Sequence, residues 1–348
     1  MNIEKILNNK DNFWGATMFD CMAKWNIPGV SFTIIRNYEI IANYTYGRRR
    51  RSRKEPVTAN TLFQAASLSK PIFATAVMRL MEKGILDLDT NINHYLKEYH
   101  VPTFDGKEHD ITLRRILSHS AGLNIHGFPG YKHKQKLPTI QQIIEGKHPA
   151  NTNELFLFKE PGQEFSYSGG GYILAQKLVC DLLEKDFEEI MQELVLQPFG
   201  MKNSTFLQPL PKKMESDIAY GIDEYDLPIE KGYCIMPELS AAGLWSTPYD
   251  LATYGIEVMK AVKGDSKAIK KETVEMMINP VNPVCGLGFF VTEVSGRKCI
   301  GHRGANTGYH SGISFFPYEG NGVAVMVNAH RGDPLVTLLL EAIKRSFD

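Results

Sequence analysis

The sequence contains no run of about eighteen apolar residues, which a bilayer-spanning helix needs. Its first fifteen residues, MNIEKILNNKDNFWG, scatter charges where a secretory leader would hold an apolar core. Cysteine is scarce: Cys21, Cys180, Cys234, Cys285 and Cys299 form no C-x-x-C pair, and an odd number cannot all pair within one chain. They read as reduced thiols, neither a disulfide framework nor a zinc site. There is no surplus of charge, with 39 basic residues against 39 acidic ones, so a protein built to coat nucleic acid is not expected. H-E-x-x-H, G-x-S-x-G, a Walker loop and G-x-G-x-x-G are all missing. These absences predict a cytoplasmic protein with no membrane segment, no nucleic-acid partner, no metal and no cofactor.

What is present is globular. At 348 residues a large core is assured, and 43% hydrophobic against 22% charged residues excludes a disordered chain. Apolar spacing predicts an amphipathic helix over 1–26, then two strands, 30–35 and 40–46, joined by a hairpin at Arg36-Asn37-Tyr38-Glu39. The middle reads as helices over 71–83 (stopped by Gly84), 111–118, 139–145, 172–184 and 187–196. Strand signals return over 286–294, 298–302, 312–316 and 323–328, and a closing helix covers 334–347. The expected fold is α/β of the α+β kind: an antiparallel sheet flanked by helices and built from both chain ends, with a mostly helical region inserted. As one unit over 1–348, it divides into a sheet part, 1–65 plus 240–348, and a helical part, 66–239. The basic run Arg48–Lys54, RRRRSRK, has no interleaved aromatics and reads as a solvated loop more readily than as an anion-binding patch.

One short pattern carries chemistry. Ser67-Leu68-Ser69-Lys70 is an S-x-x-K at the start of a helix, and residues i and i+3 share a helix face, so the amine lies beside the hydroxyl. A buried lysine with a depressed pKa can deprotonate such a serine, and a helix N-terminus favours the developing anion. Alone the tetrapeptide is weak, because chance supplies about one per chain of this composition. Ser295-Gly296-Arg297-Lys298 is a second copy and reads as a surface turn. An N-cap serine beside a solvated lysine is the competing reading of Ser67.

The wider context is more specific. LFQAASLSKPIFATAVMRLMEKGILDLDTNINHYL resembles the active-serine segment of the class C β-lactamase and penicillin-binding-protein-related serine hydrolases. ITLRRILSHSAGL (111–123), PGQEFSYSGGGY (161–172), PFGMKNSTF (198–206), GLWSTPYDLATYG (243–255) and GHRGANTGYHSG (301–312) resemble further segments in the family's order. The resemblance implies a sheet domain against a helical domain, with an acylated serine at the seam. It implies Ser67 as nucleophile, with Lys70 and Tyr167 managing its proton and Tyr167 acting as a tyrosinate-like partner. The amides of Ser67 and Ala305 would form the oxyanion hole. His302-Arg303-Gly304 stands at the K-x-G or H-x-G motif, so His302 and Gly304 share a strand face toward substrate, and His302 titrates near pH 6.5 in place of a fixed lysine charge. Gly169 replaces the motif's Asn, whose carboxamide binds a substrate amide side chain. His119, His126, His133 and His148 lack metal-ligand spacing.

The expectation is therefore a serine hydrolase of a small ester or amide, an esterase or D-amino-acid peptidase sooner than an efficient β-lactamase. β-Lactam hydrolysis is the alternative within the same chemistry. A non-catalytic acyl-binding protein, acylated without turnover, is the alternative from another class.

Overall fold

The computed structural model describes residues 2–96 and 99–347. Met1 and Asp348, the ends expected for the sheet part, and Lys97 and Glu98 in the middle region lie outside the described residues. In place of one helix over the first 26 residues there are two short ones, α1 (Ile3–Asn8) and α2 (Met18–Lys24), separated by a 3-10 turn. Trp14 and Gly15, both at positive φ, break the chain there, and Thr17 restarts it with a capping box to Asp20. The hairpin follows as expected, β1 (Gly29–Arg36) and β2 (Glu39–Gly47). Its two turn residues, Asn37 and Tyr38, both have positive φ, the geometry that matches the twist of paired strands.

The middle holds a short β3 (Phe63–Gln64), then α3 (Ser69–Glu82), α4 (Leu113–Leu117), α5 (Ile140–Ile144), α6 (Gly169–Leu183) and α7 (Phe187–Met191), which runs into one π turn. Helix α6 starts three residues before the expected boundary, because Ser168 caps it by accepting from the Gly171 N–H at 2.9 Å and so draws the glycines into the first turn. After α8 (Leu239–Ala242) and β4 (Trp245–Ser246), two helices absent from the sequence-based expectation follow, α9 (Pro248–Lys263) and α10 (Lys271–Ile278). The chain closes with β5 (Phe290–Val294), β6 (Arg297–Asn306), β7 (Tyr309–Phe316), β8 (Asn321–Val327) and α11 (Asp333–Arg345).

Six strands form one antiparallel sheet in the order β2-β1-β8-β7-β6-β5, so strands from the two chain ends meet where β1 pairs with β8. Strand alternation divides the core. Val30, Phe32 and Ile34 of β1 and Val323, Val325 and Val327 of β8 pack on one face with Leu7, Met18, Leu335 and Leu339 from the terminal helices. Ile35, Ala324 and Met326 point to the other face, into the larger core that includes α3 and α9.

The basic run is tied down. Arg49, Arg50 and Arg53 lie within 3.8, 3.1 and 3.5 Å of the Glu55 carboxylate. The Arg50 guanidinium also covers the Tyr220 ring at 3.8 Å, and Arg51 donates to the Asp226 carbonyl at 3.0 Å. The run straps the end of β2 to the 216–226 segment, and acidic and aromatic neighbours offset much of its charge.

Candidate active site

Ser67 sits in the 3-10 turn Ala66–Leu68 that leads into α3, after Ala66 at positive φ. Lys70, one turn on, is 2% exposed and places Nζ 3.1 Å from Ser67 Oγ. The same Nζ donates to the Ala241 carbonyl of α8 at 2.8 Å. Burial alone pushes this amine down to about 7, so near neutrality a large share of it is unprotonated and able to accept the serine proton.

Tyr167 is the last residue before the Ser168 cap of α6, and its hydroxyl hydrogen-bonds to Ser67. The Lys70 amine lies 5.0 Å from its ring centroid. Burial raises the phenol pKa, and only the Ser67 hydrogen bond opposes that rise. Burial thus favours the neutral phenol of Tyr167 over the anion that the expected tyrosinate-like role requires. Neutral Lys70 is the group able to act as base, and Tyr167 is a donor beside it.

The β6 edge completes the wall. The β5–β6 register ends at Phe290↔Gly301, so residues 302–306 present a free strand edge toward the turn that carries Ser67. Glycine is required there: a Cβ on Gly304 would lie 2.4 Å from the Ala65 carbonyl and 2.3 Å from Ser311 Oγ. Ser67, His126, Phe165, Tyr167, Phe290, His302, Gly304 and Ala305 line one cavity of about 430 Å³, which puts the backbone of Ser67 and that of Ala305 on the same space. That arrangement can hold an oxyanion.

His302 departs from its expected chemistry. Its Nδ1–H donates to the Arg303 carbonyl at 2.6 Å, which leaves Nε2 as an unprotonated acceptor with no hydrogen-bond partner among the described residues. Burial, aided by Lys70, pushes its pKa down to about 3 in place of a titration near 6.5, so it supplies no cation at neutral pH. Arg303 does reach the cavity but is already engaged, donating to the Asp333 carboxylate at 2.6 Å and to Thr337 at 2.9 Å.

Gly169 lies within the first turn of α6, and its missing side chain is not replaced by open space. A Cβ there would stand 2.9 Å from the Phe128 ring and 3.1 Å from the His126 carbonyl. Sequence reasoning missed His126, which lines the cavity and packs its ring 4.8 Å from that of Tyr167. It also missed His119, buried against the other residues of this wall. His119 lies in the 111–123 segment that carries the family resemblance, but neither histidine has metal-ligand spacing to single it out. Among the described residues no group of three or more His, Cys, Asp or Glu side chains is placed to hold a metal ion, and no helix is long and apolar enough to cross a membrane.

Residues 15–345 match the Beta-lactamase family. The chain belongs to it. A β-lactamase of Providencia stuartii is 30% identical over 243 residues, 70% of this chain and 58% of that protein. Among solved structures, the octameric penicillin-binding protein homologue from Pyrococcus abyssi superposes with a TM-score of 0.81 at 24% identity, over 99% of this chain and 78% of that one. The D-amino acid amidase of Ochrobactrum anthropi SV3 gives 0.75 at 20% identity over the full length of both. At such identities the structures establish a shared fold. The chain spans 43% of the length of its staphylococcal curated relatives. This Beta-lactamase family member thus shares the sheet-and-helix fold of those structures.

Proposed function

We propose that the chain is a serine hydrolase that works through an acyl-enzyme on Ser67, cleaving small esters or amides that carry no carboxylate in preference to β-lactams. The observation that carries the reading is the buried Lys70 amine 3.1 Å from Ser67 Oγ, with no carboxylate paired to it among the described residues. In acylation the Ser67 oxygen attacks the carbonyl carbon while neutral Lys70 takes its proton. The tetrahedral oxyanion rests on the Ser67 and Ala305 amides. As the intermediate collapses, the bond to the leaving group breaks. Tyr167 gives that group its proton and recovers one from Lys70. Water then attacks the acyl carbonyl, Lys70 accepts its proton, and the proton returns to Ser67 as the acid leaves.

The walls support the substrate preference. A carboxylate on the substrate would meet neutral His302 and an Arg303 already paired with Asp333. No carboxamide projects from Gly169, and Phe165, Tyr167 and Phe290 give the cavity an aromatic side. The amidase whose fold the chain shares acts on D-amino acid amides by its name, which fits a small amide without a carboxylate.

The test is the intact mass of wild type and Ser67→Ala after reaction with a fluorophosphonate, followed by turnover of p-nitrophenyl acetate, a D-alanine anilide and a cephalosporin. One adduct on Ser67, absent in the variant, with turnover of the ester or anilide but not of the cephalosporin, is the expected result. Rapid cephalosporin hydrolysis that disappears in Ser67→Ala would overturn the preference. One equivalent of product followed by nothing would favour an acyl-binding protein.

A further inference from the structure

Tyr167 ends an irregular stretch, Pro161–Ser166, and no strand or helix fixes it before the Ser168 cap. One histidine touches all three of Ser166, Tyr167 and Ser168. The Ser166 N–H donates to the His119 carbonyl at 2.7 Å, and the Ser168 N–H donates to His119 Nδ1 at 3.1 Å. Between them the His119 and Tyr167 rings stack at 4.1 Å with 29° between their planes. Three consecutive residues thus meet the backbone carbonyl, ring face and ring nitrogen of a single residue that is 2% exposed.

The backbone of His119 adds a second, independent observation. It follows the Ser118 cap of α4 at φ 55°, with the Ser120 N–H on the Arg115 carbonyl and its own N–H on the Ile116 carbonyl. This is the left-handed position after a helix, where glycine is the usual residue because a Cβ is disfavoured. A histidine there gives up backbone ease, and what the position gains is its contact with residues 166–168. A backbone N–H can only donate, so Nδ1 is unprotonated and the ring carries its proton on Nε2. Burial, with Lys70 and His302 nearby, holds the His119 pKa well below its ordinary value and keeps that acceptor available.

We propose that His119 is the positioning residue for the Tyr167 hydroxyl, clamping residues 166–168 so that the phenol meets Ser67; this rests on the reading of Tyr167 as proton relay. The clamp touches neither substrate nor the reacting atoms, and its whole effect on rate passes through Tyr167.

The experiment is a double-mutant cycle read as kcat and KM for a small alkyl ester or anilide, whose leaving group needs the proton that Tyr167 gives. Tyr167→Phe is expected to lower kcat about 100-fold and His119→Phe, which keeps a ring but loses the acceptor, about 10-fold, with KM within about 2-fold. On the Tyr167→Phe background the same His119→Phe change is expected to cost less than about 2-fold. His119→Asn restores an acceptor near Nδ1 and suits the left-handed backbone, so it should recover at least about 3-fold over His119→Phe. It also carries the cycle if the phenylalanine variant does not fold. An equal factor on both backgrounds would overturn the proposal and leave His119 a packing residue. No effect of Tyr167→Phe itself would overturn the relay reading and the clamp with it, a pattern distinct from the additive one.

Discussion

Helix α8 separates two buried titratable groups that burial treats alike and the fold uses differently. On one side Lys70 donates to the Ala241 carbonyl and to Ser67 Oγ. At the other end Glu238, the residue before the helix, is 0% exposed with neither carboxylate oxygen hydrogen-bonded among the described residues. Burial drives both toward neutrality, Lys70 down to about 7 and Glu238 up to about 8. Desolvation is thus not sufficient to make a functional group. Lys70 has a hydroxyl to deprotonate and a cavity beside it, whereas Glu238 has neither. Perturbed titration marks both, and only geometry tells them apart.

The largest expected effect comes from removing the useful member of the pair. Lys70→Met should lower kcat/KM by on the order of 10³-fold or more, since the serine loses its base. The same variant should be more stable than wild type at pH 6. The folded pKa of Lys70 lies below its ordinary 10.5, so the unfolded chain binds more protons between about 7 and 10.5. The cost to the fold is therefore full below about 7 and gone by about 10.5. Urea unfolding at pH 6 should show a gain of roughly 2–5 kcal/mol, and a loss there would contradict the account.

Glu238→Gln should separate the two groups in the opposite sense. The folded pKa lies above the ordinary 4.5, so the cost is absent below about 4.5 and full above about 8. The variant should gain roughly 3–5 kcal/mol at pH 8 and little at pH 4.5, with kcat within about 3-fold of wild type. A gain of equal size at both pH values would mean that packing, not ionisation, is responsible.

Two smaller effects sharpen the contrast. Burial is what shifts Lys70, and Glu238 sits at the other end of α8, so the stability changes of the two variants should add within about 0.5 kcal/mol in the double variant. For the same reason the rise of kcat/KM with pH, centred near the Lys70 value of about 7, should move by less than about 0.3 pH in Glu238→Gln. Coupling in either measurement would show that α8 transmits charge between the two sites.

Much of the fold was legible because periodicity and turn chemistry are local. The hairpin at Asn37-Tyr38, the start of α3 at the S-x-x-K and the closing helix before Phe347 all follow from spacing and punctuation. Helix α9 was equally legible and was not expected, although Thr247-Pro248 with Asp250 opens it and Gly264 closes it in the standard way. The helix expected over 1–26 failed for the reverse reason. Apolar spacing persists through Trp14-Gly15, yet the backbone turns there.

Within the candidate site, the S-x-x-K spacing determined that the Lys70 amine and the Ser67 hydroxyl share a face, because a helical turn fixes neighbours three residues apart. The family's motif order determined that Tyr167, His302 and Gly304 would join them. The sequence could not determine protonation, because that depends on which distant chains exclude water. Only the packing of α8, β6 and the 119–126 segment around the site lowers the Lys70 pKa, favours neutral Tyr167 and His302, puts Phe128 where a Gly169 side chain would stand, and sets His119 against Tyr167 across 48 residues of chain. Desolvation and stacking act between surfaces, and surfaces exist only once the chain has folded.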